Sequence, residues 1–179
     1  VNDILDFSKI DAHKMELKEN AFNLLNCLNN ITSSFSLQFK NQDIDLLTNY
    51  SVEDLEDIEI ISDQTKLSQI LKNLLSNALK FTHNGAVNLS LEIKESTDKE
   101  IIIYFEVKDT GIGIPKEKQG EIFQAFAQVH ADDLKRKYEG TGLGLTISKQ
   151  WVNMMGGNLE VDSDVNQGAR FYFTLQFKR

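Results

Sequence analysis

The chain has one proline, Pro115, and one cysteine, Cys27, in 179 residues. A lone cysteine excludes a disulfide within the sequence and suits a reducing compartment, though its plainer reading is a small buried apolar side chain. Long apolar runs are missing too. The longest, IIIYF at 101–105, falls far short of the roughly 20 residues that span a bilayer, so no direct membrane contact by this segment is expected. Cationic surplus is the third absence: 19 Lys and Arg stand against 27 Asp and Glu, a formal charge of −8 with a pI near 4.9. Nucleic acid, which needs a basic face, is therefore disfavoured as a partner. Repeats and low-complexity tracts are absent. The sequence opens at Val1 inside a helical pattern with neither initiator Met nor signal peptide, and is read as part of a longer, cytoplasmic protein.

What remains fits one globular domain with a small appendage. VNDILDFSKI has helical spacing, and a boundary falls near Asp11. KMELKE at 14–19 alternates as a strand, with Met15 and Leu17 inward. Residues 20–42 repeat Leu24, Cys27, Leu28, Ile31 and Phe35 as an amphipathic helix opened by an Asn cap. IDLLTNY is a strand, and the acidic SVEDLEDIE after it a solvated turn. Asp63 caps a second helix with the stripe Leu67, Ile70, Leu71, Leu74, Leu75, Ala78 and Leu79. AVNLSLEIK and EIIIYFEVKD form a hairpin across ESTDK. A short helix around KEKQGEIFQAF, a basic loop, a helix over LGLTISKQWVNMM and a closing hairpin complete the order. The fold class is α+β, helices on one face of a mixed, mostly antiparallel sheet in a two-layer sandwich.

Glycine is concentrated. Five of its ten occurrences lie in DTGIGIP (109–115) and GTGLGL (140–145), although ordering glycine has a high entropic cost. Neither loop is a dinucleotide fingerprint, since Lys116 and Leu145 stand where the third glycine belongs, and no phosphate loop ending in Gly-Lys-Ser or Gly-Lys-Thr occurs. Asp109 ends a strand and enters a turn whose Gly111 and Gly113 let a flat ring approach bare main chain. Its carboxylate either accepts from the exocyclic amine of adenine, selecting ATP, or merely caps the turn. Gly140, Gly142 and Gly144 lead into a helix whose N–H groups suit phosphates, or serve only tight packing.

On the helix after Asp63, Asn73, Asn77 and Lys80 fall within about 60° around the axis, opposite the leucine stripe. An amide oxygen there is a ligand for magnesium carried by phosphates, and the lysine supplies a point charge; the alternative is a plain solvated face. Phe81 stacks on a base or caps the core. LKRKYEG at 134–140 is a cationic knot able to close over a triphosphate as a lid, or solvated surface.

Together these residues resemble the catalytic ATP-binding domain of hybrid-type sensor histidine kinases, in the gyrase, Hsp90, histidine kinase and MutL superfamily. NLLSNALKFT resembles the asparagine box, DTGIGIP the first glycine box, IFQAFAQV the phenylalanine box and GTGLGLTIS the second glycine box, all in family order. The resemblance implies the Bergerat sandwich, with ATP and Mg2+ as cofactors. Asp109 then reads the adenine amine within a pocket including Gly111, Gly113 and Ile114. Asn77 is the magnesium ligand, and Asn73 and Lys80 approach the phosphates beside Phe81. Gly140, Thr141, Gly142, Leu143, Gly144 and Leu145 bind phosphate by backbone. Arg136 matches the lid arginine, with Lys137 and Tyr138 beside it, and Phe123 and Phe126 anchor the lid. Residues 1–12 resemble the end of the dimerisation helix, and 13–179 the catalytic domain; with so little helix present a monomer is expected.

Departures sharpen the reading. Where hydrolytic members carry a water-activating glutamate four residues before the magnesium asparagine, this chain has Asn73, which cannot act as a base. Arg170 stands where a threonine near the adenine pocket is frequent. His13, His83 and His130 match no phosphoacceptor motif, so the chain holds the donor half of phosphoryl transfer. The implied partners are an upstream phosphoacceptor helical domain and a response-regulator receiver domain. Two alternatives are a hydrolytic ATPase of the same superfamily and a degenerate nucleotide-binding or docking module.

Overall fold

The computed structural model describes residues 16–127 and 142–179. Within them lie β1 (Asn20–Asn23), α1 (Leu24–Asn41), β2 (Ile44–Asn49), α2 (Val52–Leu55), β3 (Glu59–Ser62), α3 (Gln64–Phe81), β4 (Gly85–Ser96), β5 (Glu100–Asp109), a 3-10 turn (Lys116–Lys118), α4 (Gly144–Met154), β6 (Glu160–Ser163) and β7 (Ala169–Lys178). One sheet runs β1-β3-β7-β5-β4-β2, with β6 paired to the remaining part of the β7 edge. Every pairing is antiparallel except β2 with β4. Among the described residues no helix is long and apolar enough to cross a membrane.

Period two divides the sheet. Val87, Leu89, Ile101, Ile103, Phe105, Val107, Phe173 and Leu175 are buried beneath the helices, while Tyr104, Glu106, Arg170 and Tyr172 occupy the other, half-exposed face. Phe105 stacks on Phe173 with centroids 5.0 Å apart. The seven apolar residues of α3 read from the sequence are the ones it buries. At roughly 1.5–3 kcal/mol per large apolar side chain, that stripe outweighs the ~1 kcal/mol of a cap, so packing holds α3 and the cap sets where it begins. Asp63 accepts from Lys66 N at 3.0 Å and from Lys18 N at 2.9 Å, which also ties the incoming chain to the helix start.

Several local expectations shift. Residues 16–19 are not strand; β1 begins at Asn20, because Phe22 pairs opposite Ile60 on β3 and buries there. The α1 cap is Asn23, whose Oδ1 accepts from Asn26 N at 2.8 Å. The acidic stretch expected as a solvated turn folds into α2, capped by Ser51, and runs on into β3, since Leu55 and Ile58 point into the core. Around KEKQGEIFQAF only the 3-10 turn forms, followed by turns that bury Ile122; Gly120 costs a helix about 1 kcal/mol at its centre.

Candidate functional site

The polar groups gather along α3. At its C-terminal end the Phe81 carbonyl accepts from Ile112 N at 3.2 Å, seating the first glycine loop on the helix. Two turns earlier, Asn73 Nδ2 donates to Ser148 Oγ of α4 at 2.8 Å. Asn77 stands one turn from each. Its side-chain amide makes no hydrogen bond among the described residues, and it is half-exposed. The expected row thus exists, but Asn73 is not opposite the core: its amide occupies the space a Cβ on Gly144 would need, 2.4 Å from Oδ1.

Asp109 is 5% exposed. Oδ1 accepts from Gly111 N at 2.8 Å and from Ala169 N at 3.3 Å, and no described residue donates to Oδ2. Burial pushes its pKa up from 3.8, and the two N–H groups oppose that rise. A buried acceptor with one oxygen unspent is suited to a neutral donor such as an exocyclic amine. The plain capping role is also real, through Gly111 N.

The glycines act differently from the expectation that they bare main chain to a ring. A Cβ on Gly111 would lie 2.3 Å from the Phe81 carbonyl oxygen, and one on Gly113 (φ +70°) 2.0 Å from that of Asp164. Close approach to the protein's own backbone is what excludes a side chain there. Gly168 has φ +79°, and a Cβ there would meet the Asp109 carbonyl.

At the second loop, Gly142 has φ +68° and its carbonyl accepts from Phe126 N at 3.1 Å. Leu143 is fully buried. The first helical bond of α4 is Ile147 N to Leu143 O at 2.9 Å, leaving the N–H groups of Gly144, Leu145 and Thr146 ahead of any helical acceptor. Lys80 lies 5.0 Å from the Phe81 ring centroid, and burial lowers its pKa. Ile114 is half-buried against the core, its N–H donating to Ser163 Oγ at 2.8 Å.

Phe123 packs edge-on to Phe171 at 6.4 Å, and Phe126 is 66% exposed with its N–H donating to the Gly142 carbonyl; the lid that both are expected to anchor lies outside the described residues. Arg170 faces away: it pairs with Asp162 at 3.1 Å and Glu106 at 3.6 Å on the outer sheet face. Alternation along β7 places Ala169, and not Arg170, beside Asp109. Arg136, Lys137, Tyr138, Gly140 and Thr141, with His13, His130 and residues 1–12, lie outside the described residues; His83 is an exposed loop residue. Sequence reasoning missed Ser148, Ser163, Gln119 and Gly168, whose partners are distant in the chain; only Gly168 carried a turn signal. Two hollows of ≈ 580 and ≈ 620 Å³, one beside β2 and α1 and one by Tyr50 and Tyr104, are lined by none of the expected site residues.

Residues 62–179 match the family described as histidine kinase-, DNA gyrase B-, and HSP90-like ATPase. The chain is 38% identical over 175 residues to hybrid signal transduction histidine kinase B of Dictyostelium discoideum and to signal transduction histidine-protein kinase BarA of Escherichia coli K12, covering 98% of itself and 9% and 19% of those proteins. It is 38% identical over 180 residues to the autoinducer 2 sensor kinase/phosphatase LuxQ of Vibrio parahaemolyticus, covering 99% of itself and 20% of the relative. Its span is thus about a tenth to a fifth of these curated relatives. Among solved structures, full-length ShkA in complex with AMPPNP superposes with a TM-score of 0.79 at 29% identity, over 99% of this chain and 35% of that one. The nucleotide-free catalytic domain of histidine kinase ThkA gives 0.67 at 26% identity, over 90% and 95%.

Proposed function

Because the chain belongs to the histidine kinase-, DNA gyrase B- and HSP90-like ATPase family, we propose that it binds magnesium-ATP between α3, the first glycine loop and α4, and donates the γ-phosphate to a histidine outside this sequence. The observation that carries the reading is Asp109, buried, with Oδ1 held by two N–H groups and Oδ2 left to accept from the adenine amine. At the other end, the N–H groups of Gly144, Leu145 and Thr146 and the positive end of the α4 dipole meet the phosphates. Lys80 adds charge from α3, and its lowered pKa reflects a partly desolvated ammonium. Arg136, Lys137, Tyr138, Gly140 and Thr141 take the lid and phosphate roles that the family pattern gives them.

Among the described residues no group of three His, Cys, Asp or Glu side chains could hold a metal. The donor set present is an amide: Asn77 fits magnesium that arrives on the nucleotide, whose phosphates supply the charged ligands. Held there by Asn77, the ion would supply charge neutralisation for the phosphoryl group. The protein positions; it has no base to offer at Asn73, whose amide donates to Ser148. Transfer to an external acceptor follows more naturally than hydrolysis. Residues 1–12 then continue an upstream phosphoacceptor helical domain, residues 13–179 form the catalytic domain, and a receiver domain takes the phosphate onward in a two-component relay in the cytoplasm.

The test supplies the upstream helical domain in trans with γ-labelled ATP and magnesium. Acid-labile, base-stable label on that domain is the expected result. Absence of label despite measured ATP binding would refute transfer, and steady phosphate release by this chain alone would favour the hydrolytic reading.

A further inference from the structure

The two segments whose N–H groups hold Asp109 are far apart in the chain: Gly111 in the first glycine loop and Ala169 at the start of β7. One hydroxyl joins them. Ser163 Oγ, at the end of β6 and 5% exposed, accepts from Ile114 N at 2.8 Å and donates to the Gly168 carbonyl at 2.6 Å. A serine hydroxyl has one proton, so this donor is fully committed. Gln119, just after the 3-10 turn, closes the same join from outside: its Nε2 donates to Ile114 O at 3.0 Å and to Ser163 O at 2.7 Å. Asn166 N to Ile112 O at 2.7 Å completes the seam between loop 109–115 and the β6–β7 turn. The Lys116–Asp164 pair along it, 3.5 Å apart with both side chains exposed, adds little.

We propose that Ser163 and Gln119 are specificity-determining positioning residues for the nucleotide base: by locking loop 109–115 to the β6–β7 turn they fix the direction in which Asp109 Oδ2 points. The inference rests on the reading of Asp109 as the acceptor for the adenine amine. A carboxylate held at one oxygen by two N–H groups can still swing if those donors move relative to each other, and the Ser163 bridge and the Gln119 clamp oppose that movement. Neither side chain touches the base. Their effect is on discrimination, because an acceptor that is misaimed by a fraction of an ångström loses its hydrogen bond while the phosphate contacts on α4 are unaltered.

The experiment titrates the chain with magnesium-ATP and with magnesium-ITP, whose ring carbonyl replaces the amine and faces the carboxylate acceptor to acceptor. Wild type is expected to prefer ATP by about tenfold or more, the worth of one hydrogen bond plus the mismatched pair. Ser163→Ala strands the Ile114 N–H and the Gly168 carbonyl; Gln119→Glu, at a half-exposed and more tolerant site, replaces the donor with an acceptor facing two carbonyls. Both should bring the ATP:ITP ratio close to one while ITP affinity stays within about twofold of wild type, and thermal unfolding of Gln119→Glu verifies that it folds. A ratio unchanged in folded Gln119→Glu overturns the positioning role while leaving Asp109 as the base reader. Equal loss of ATP and ITP affinity also overturns it, since that is what general loosening produces. A wild type that does not distinguish the two nucleotides overturns the Asp109 reading, and the positioning role with it.

Discussion

The Asn73 amide donates to Ser148 Oγ at 2.8 Å and fills the space where Gly144 lacks a side chain, with Oδ1 2.4 Å and Nδ2 2.8 Å from the missing Cβ. Gly144 is helical without positive φ, so Ala there should gain ~0.5–1 kcal/mol of backbone entropy, but overpacking against Asn73 costs about 1–3 kcal/mol and wins. Gly144→Ala is therefore destabilising in wild type and stabilising in an Asn73→Ala background. Urea unfolding of the four proteins gives the coupling; equal effects in both backgrounds would show that Asn73 does not set the α3–α4 fit.

Replacement of Asp109 by Asn tests both its burial and its chemistry. The folded-state pKa lies above 3.8, so the native state favours the protonated acid, and wild type loses stability as pH rises from about that value through the folded pKa. Asn carries no such penalty. The stability of Asp109→Asn relative to wild type should grow with pH across that window and level off above it. Nucleotide affinity moves the other way, falling by roughly 1–3 kcal/mol for the lost acceptor. A flat stability difference between pH 3 and 7, on the order of experimental error, would remove burial as the cause.

Three glycines rank differently although a sequence treats them alike. Gly168→Ala combines φ +79° with a Cβ 1.9 Å from the Asp109 carbonyl oxygen and should cost about 3 kcal/mol or more. Gly156→Ala has φ +86° in open space and should cost about 1–2 kcal/mol. At Gly120 nothing lies within 4 Å and φ is not positive, so Ala is neutral or stabilises by up to ~1 kcal/mol. Thermal melts of the three variants decide the order.

Asn77→Ala should fold as wild type does, since no described hydrogen bond ends on that amide. Chelating magnesium weakens ATP binding in wild type; in the variant, calorimetry with and without EDTA should give affinities within about twofold of each other. A full magnesium effect in Asn77→Ala would assign the ion to another ligand.

Much of this was written in local pattern. The seven buried residues of α3, the alternation of β4, β5 and β7, the Asp63 cap and the site row Asn73–Asn77–Lys80 follow from periods of 3.6 and 2, which depend only on chain geometry. The motif order is what assigns Asp109 and the second glycine loop to one proposed site. Local pattern failed where two signals competed: acidic residues around Leu55 and Ile58 hid a short helix and a strand whose apolar side was sparse.

The sequence alone therefore determined which faces are buried and which residue types are available for chemistry, because both are fixed within a few turns of chain. Tertiary structure alone decided the partnerships: Ile114 with Ser163 across 49 residues, Asp109 with Ala169 across 60, Asn73 with Ser148 across 75. It also turned Arg170 to the outer sheet face and gave the glycines neighbouring backbone to accommodate. Such hydrogen bonds are set by strand order, register and helix packing, and no local window of sequence contains both ends of them.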